Sequence, residues 1–335
     1  MDFTVSEAQQ ELAGLTRRIL ADRVAPEPHG EGGFDPALWR ELVKAGLVDA
    51  DLGLLEQCTV LTEIGRAVAP VPYLPSVTMA AAAIFAFGTP EQIERWAMPA
   101  VRGERVLAVA LPDVGSAGGF TVENGRISGA QTAVPFGAFA DGFLIPADSG
   151  VYLVDSADVR PQRVIDHADA ALVQLTDVPG ELLGTGVDEW LRLRGTVGLC
   201  AVQLGVLESA LHRTAEYAKE RRQFDHPLAG FQAVRQRLAD AYIDVEAVRL
   251  TMWQAGWRLS EGLPAAEEVA TAKYWAAEAG HRVAHTAVHL HGGVGIDVEH
   301  PVHRYFAAAK RIEFTLGGAT AHLRALGELL AAEPA

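Results

Sequence analysis

The chain alternates between two kinds of hydrophobic patterning. From Ser6, apolar residues recur at helical spacing, with Leu12, Leu15, Ile19 and Leu20 on one face. A loop is expected at Pro26–Gly33, then a short helix over Pro36–Ala45 stopped by Gly46. Another helix spans Leu54–Arg66, and Pro70, Pro72 and Pro75 punctuate the stretch after it. Val77–Gly88 is apolar but too short to cross a bilayer, and reads as a buried helix. Thr89-Pro90-Glu91 predicts a cap with proline at the first helical position, opening a helix to about Val101.

At Val106 the texture changes. Val106–Leu111, Gly119–Val122, Arg126–Ser128, Gly142–Ile145, Val151–Val154 and Ala171–Leu175 are short strand-like runs, with turn signals at Asn124-Gly125 and Asp148-Ser149-Gly150. From Asp188 the chain is helical again, as Leu191–Arg221, Phe231–Ser260, Pro264–His291 and Pro301–Leu330. Four long helices on short loops imply an antiparallel bundle. The expected fold class is α+β, mostly α. It comprises an N-terminal helical domain (1–105), a small antiparallel β domain (106–185) and a C-terminal four-helix bundle (186–335).

Composition narrows the function. The 335 residues are 49% hydrophobic, enough for proper cores. A net charge of −15, with 28 Lys and Arg in no basic run, argues against nucleic acid or an anionic membrane as partner. Two cysteines, Cys58 and Cys200, both in apolar helical contexts, fit a reducing compartment, and a cytoplasmic location is expected. His285 and His289 stand at i, i+4, but no third ligand follows at suitable spacing, so no metal site is expected.

Two segments carry the chemistry. Tyr217–Asp240 contains Arg221-Arg222-Gln223-Phe224, a break at Pro227 and a helix opening at Phe231-Gln232; His289–Tyr305 contains Gly292-Gly293 at a helix end. An arginine fork, polar amides and a glycine pair can grip a dinucleotide's pyrophosphate without a Rossmann fold.

These segments resemble motifs of the acyl-CoA dehydrogenase family. Tyr217–Phe231 looks like its Y-A-x-x-R-x-Q-F-G-x-P-x-x-x-F-Q motif, with Asp225 in place of the usual glycine. His289–Gly295 looks like its Q-I-x-G-G-x-G segment, with His289 for glutamine. The resemblance covers nearly the whole chain. It implies FAD as cofactor, an acyl-CoA substrate, and Arg221, Gln223, Phe224, Gln232, His289, Gly292 and Gly293 as flavin contacts. In the family a carboxylate takes the α proton of a thioester and the β hydride passes to the flavin.

The departures matter as much. The family's glutamate segment Y-E-G-T-S is matched by Phe314-Thr315-Leu316-Gly317-Gly318-Ala319-Thr320, with Leu316 or Gly317 at the acid's place. Other members put the base just before the first bundle helix, where Asp188 and Glu189 stand here. The T-E-P-x-A-G-S-D segment is eroded to Leu111–Gly118, and a tryptophan-containing flavin segment is replaced by Ala133–Gly137. These erosions resemble the smaller subunits of actinobacterial α2β2 acyl-CoA dehydrogenases of steroid (cholesterol) breakdown. That resemblance implies a larger partner subunit sharing the flavin. Two other readings stay open: a structural or regulatory subunit without flavin, and a homodimeric dehydrogenase using Asp188 as base. Each residue also has a plain structural role open to it. Asp188 could cap its helix, Glu189 could be a solvated first-turn acid, and Arg221 could pair with Glu220 or Asp225. Gln232 could cap its own helix, Gly292-Gly293 could merely end one, and Trp253, Trp257 and Trp275 could pack the bundle.

Overall fold

The computed structural model describes residues 3–23, 33–49, 52–113 and 119–332. The expected Pro26–Gly33 loop, apart from Gly33, lies outside these, as does most of the eroded Leu111–Gly118 segment. The chain divides into two compact units. One takes residues 1–28, 58–69 and 199–335, and the other takes 29–57 and 70–198.

Local signals explain the N-terminal helices. The first, α1 (Glu7–Arg23), opens on a reciprocal cap in which Ser6 Oγ accepts from Gln9 N–H and Gln9 Oε1 accepts from Ser6 N–H. In α2 (Pro36–Lys44), Asp35 accepts from the amides of Ala37 and Leu38, and Gly46 at φ 71° ends the element as expected. α3 is Leu54–Ala67. α4 (73–87) begins in wide π-type turns and continues as α-helix, and α5 (90–101) opens on the Thr89–Gln92 capping box.

The second unit is built on an eight-stranded sheet: β1 (Leu107–Val109), β2 (Gly119–Glu123), β3 (Arg126–Pro135), β4 (Gly142–Ala147), β5 (Gly150–Val154), β6 (Asp158–Pro161), β7 (Ala170–Pro179) and β8 (Glu181–Gly184). The order is β6-β7-β3-β2-β4-β5-β8, with β1 paired to β4. β4 and β5 are buried along nearly their whole length and pair from Phe143↔Val154 to Ala147↔Gly150. Phe120, Ile127, Phe143, Ile145, Val154, Val173 and Leu175 form the core. The expected turn at Asn124-Gly125 is there, both residues at positive φ, as a two-residue hairpin requires.

Two features differ from the expectation. Most strand pairs are antiparallel, but β1 and β2 both run parallel to β4, and neither is joined to it by a hairpin. β6 and β8 are additions to the strands that the sequence predicts. Each is a four-residue strand without clean alternation, held by pairing to β7 and β5.

α6 (Val187–Glu220) contributes residues 187–198 to this unit and the rest to the other. The first unit also holds α7 (Gln232–Ser260), α8 (Ala266–His291), α9 (Val302–Phe314) and α10 (Ala319–Ala332). The expected single helix 301–330 is therefore two. Leu316 and Gly317, at φ 57° and 98°, reverse the chain between them. Lys273, fully buried on α8, steadies this corner by donating to the Ile312 and Glu313 carbonyls at 2.9 and 3.1 Å. Those carbonyls, at the end of α9, have few partners within the helix, and a cation suits that end.

α3 and α6 cross closely in the same unit. A Cβ on Gly65 would strike the Val202 carbonyl, and one on Gly205 the Thr62 carbonyl. Ion pairs tie the crossing to its neighbours: Glu63 meets Arg17 and Arg66, and Glu208 meets Arg66 and Arg249. On α7 the side chains of Tyr242, Ile243 and Leu250 are exposed, Ile243 to 64%. Trp253, Trp257 and Trp275 are half-buried in this helical unit.

Candidate functional site

α6 runs out at Glu220, and the chain reverses through a minute hairpin of Arg222–Gln223 against His226–Pro227. Its two tip residues, Phe224 and Asp225, have φ 51° and 64°. A two-residue turn of this kind needs left-handed backbone at both positions, which is why glycine is natural at the second and why aspartate, tolerant of that region, can stand in. Phe224 takes the strained conformation and projects from the tip, 86% exposed, edge-on to Phe231. Leu228 N–H closes the loop on the Arg221 carbonyl at 2.8 Å.

The Arg221 side chain makes no ion pair and no hydrogen bond among the described residues, so neither Glu220 nor Asp225 holds it. Arg222 instead donates to the Asp225 carbonyl, and the Gln223 amide to the Arg222 carbonyl. Gln232 is exposed at the first turn of α7 and does not cap it: Phe231 occupies the cap position, and no side chain satisfies the free amides there.

α8 ends beside this region. Gly292, at φ 65° and ψ −139°, is its C-cap and donates to the His289 and Val288 carbonyls. Only glycine adopts that conformation without strain. A Cβ on either Gly292 or Gly293 would meet nothing within 4 Å, so the close packing that usually explains a glycine is absent. His289 is exposed, whereas His291 is buried. The Tyr217 ring of α6 stacks on His291 with centroids 4.3 Å apart and planes at 21°. That pair joins the arginine-bearing and glycine-bearing ends. Beside it, Arg66, Glu208, His212, Arg213, Glu216 and His300 line a cavity of about 520 Å³.

The acidic candidates belong to the other unit. α6 begins at Val187, so Asp188 and Glu189 are exposed first-turn residues and Asp188 is not the cap. Asp188 stands four residues before Arg192. Burial lowers the Arg192 pKa, against the opposing charges of Asp188 and Asp113. Leu316, which with Gly317 is one of the two residues expected opposite the family's glutamate, is buried, and its carbonyl accepts from His322 Nε2 at 2.8 Å. In the Ala133–Gly137 segment Ala133 is exposed, Val134 is fully buried and Phe136 packs edge-on against Phe34.

Among the described residues, no three His, Cys, Asp or Glu side chains gather as a metal site. His285 lies against His281 and Phe306 instead. Cys58 and Cys200 are buried and form no disulfide, and burial pushes the Cys200 thiol up to about 12 against the charge of Lys273. No described helix is long and apolar enough to cross a membrane.

Comparison with known proteins decides the family. Residues 6–104 match the acyl-CoA dehydrogenase N-terminal domain and 191–330 its C-terminal domain. Acyl-CoA dehydrogenase FadE27 of Mycobacterium tuberculosis is 46% identical, each chain covered completely. The chain belongs to the acyl-CoA dehydrogenase family. A chain of the ChsE4-ChsE5 complex from Mycobacterium tuberculosis superposes with a TM-score of 0.94 at 44% identity over all of both chains. A chain of a structure described as the Tcur3481-Tcur3483 steroid ACAD G363A variant gives 0.91 at 38% identity, covering 98% of this chain and 99% of the other. This acyl-CoA dehydrogenase chain is thus an oxidoreductase-family protein that spans these relatives end to end.

The sequence motifs name the arginine arm and the glycine pair, but not the ring stack joining them. Tyr217 opens the first motif, and His291 sits between named residues of the second. Nothing in their spacing says that their rings meet.

Proposed function

We propose that this chain is the smaller subunit of a heterotetrameric (α2β2), FAD-dependent acyl-CoA dehydrogenase that α,β-desaturates a steroid-derived CoA thioester, sharing its flavin with a larger partner. The observation that carries this reading is a clamp with no client of its own. The Arg221 guanidinium has no partner among the described residues, and two adjacent glycines face open space. Both features suit a dinucleotide's diphosphate. Arg221 would fork onto phosphate oxygens, Gly292 and Gly293 would admit the ligand close to the backbone, and Gln232 would stand at the amide-rich start of α7. Gln223, Phe224 and His289 would border the nucleotide. The flavin would supply a hydride acceptor for the substrate's β carbon.

This chain's residues also limit what it can do. Neither Leu316 nor Gly317 can take the α proton. A carboxylate base is strongest when desolvated, and Asp188 and Glu189 are exposed. That setting favours a carboxylate of the partner. The two-subunit complexes among the similar structures support a partner, and the description of one of them as a steroid enzyme supports the substrate class.

The test is co-purification with the product of the neighbouring gene, followed by a flavin count. One FAD per heterodimer, lost on Arg221→Ala, is expected. Two flavins, both lodged between copies of the partner, would make this a structural subunit. Turnover by the chain alone, abolished in Asp188→Asn, would make it a self-sufficient homodimer.

A further inference from the structure

We propose that Tyr217, His291 and His300 form a column of rings that positions the Gly292–Gly293 turn for the flavin diphosphate, acting through the turn without touching the cofactor. This rests on the flavin reading above.

The column links the two halves of the clamp. Tyr217 lies four residues before Arg221, whose backbone N–H donates to the Tyr217 carbonyl at 2.8 Å. His291 immediately precedes Gly292. The stack between them is near-parallel, and the Tyr217 hydroxyl reaches the His291 carbonyl at 3.5 Å. The His291 ring is fixed in turn: its Nδ1 lies 2.8 Å from the Ala287 carbonyl and must carry the proton to donate there. The His300 ring comes next at 5.2 Å and 57°. Its Nδ1 accepts the Val302 N–H at 3.3 Å and must therefore be bare. The two rings thus use the same nitrogen in opposite senses, His291 donating through Nδ1 and His300 accepting through its own. Gly292 leaves the helix in a conformation that no side-chain contact of its own enforces, so the residue before it sets the turn's direction.

Protonation works against the column. Burial lowers the His291 pKa first; the bond to Ala287 opposes this and the neighbouring His300 adds to it. Across the cavity the facing charged groups are Arg66 of α3 and Glu208, His212, Arg213, Glu216 and Glu220 of α6. A histidine with a depressed pKa contributes stability that is complete above the ordinary imidazole value and is lost as pH falls through the depressed one.

The experiment measures FAD affinity of the deflavinated two-subunit complex. Tyr217→Leu should raise the FAD Kd about 10-fold, the worth of one well-placed hydrogen bond, with assembly intact; Tyr217→Phe, which keeps the ring, should stay much closer to the parent. The parent's Kd should rise as pH falls below the ordinary imidazole value of about 6.5, and His291→Phe, which stacks but cannot titrate, should flatten that profile. If Arg221→Ala weakens FAD binding while Tyr217→Leu does not, the column has no positioning role. An unaltered pH profile in His291→Phe overturns it equally, even if Tyr217→Leu fails to assemble. If neither Arg221→Ala nor Tyr217→Leu changes the Kd, the flavin reading itself falls.

Discussion

Adding one methyl group at each of the paired glycines separates a backbone requirement from a ligand requirement. Gly292 occupies φ 65°, ψ −139°, so Gly292→Ala costs the fold about 1–3 kcal/mol of backbone strain whatever binds there. Gly293 is not at positive φ, and its Cβ would enter open space. Gly293→Ala should therefore leave the fold unchanged or raise its stability by a few tenths to about 1 kcal/mol, by restricting the unfolded chain. Its effect on flavin should be the opposite. A methyl that holds a phosphate off the backbone forfeits a charge-assisted hydrogen bond, about 1.5–3 kcal/mol, or about 10- to 150-fold in Kd. The assay pairs thermal unfolding of the isolated chain with FAD titration of the deflavinated complex. Gly293→Ala should show an unchanged or higher Tm and a much weaker FAD affinity. A Kd for Gly293→Ala equal to the parent's would refute close backbone approach at this turn.

Other perturbations probe the packing. Gly205→Ala gains about 1 kcal/mol of helix propensity but drives its Cβ into the Thr62 carbonyl, so a net loss of about 1–3 kcal/mol should appear as a lower Tm. Glu208→Gln removes the carboxylate shared by Arg66 and Arg249, which keep Glu63 and Glu246, and a loss of about 1–3 kcal/mol is expected in urea unfolding. Cys200, with its thiol pushed up to about 12, should resist alkylation in the native chain at mildly alkaline pH and react at the ordinary thiol rate once urea unfolds it. Because that pKa is raised, stability present below the ordinary thiol value of about 8.5 should decline as pH climbs beyond it, which alkaline unfolding midpoints would register.

Much of the architecture is legible in the sequence because its signals are local. Ser6 with Gln9, Asp35 before Pro36 and Thr89 before Pro90 mark helix starts whose caps close within three residues. The features that escape depend on distant neighbours. Gly65 and Gly205 look like tolerated helix interruptions until a second helix is laid against them. β6 and β8 are strands only because β7 and β5 offer them partners. The break at Leu316 is hidden because a leucine in left-handed backbone violates its own preference and needs tertiary support, here from Lys273 and His322. The clamp residues are readable as a motif, but motif spacing says nothing of ring stacking.

The exposed stripe on α7 has a cost in the living cell. Ile243, Leu250 and Tyr242 would be wetted for as long as the polypeptide waits alone, and apolar surface of that kind invites promiscuous adhesion. On the two-subunit reading, surplus copies are a burden to be cleared by proteases, so selection should favour translating both messages in equal measure from one transcript.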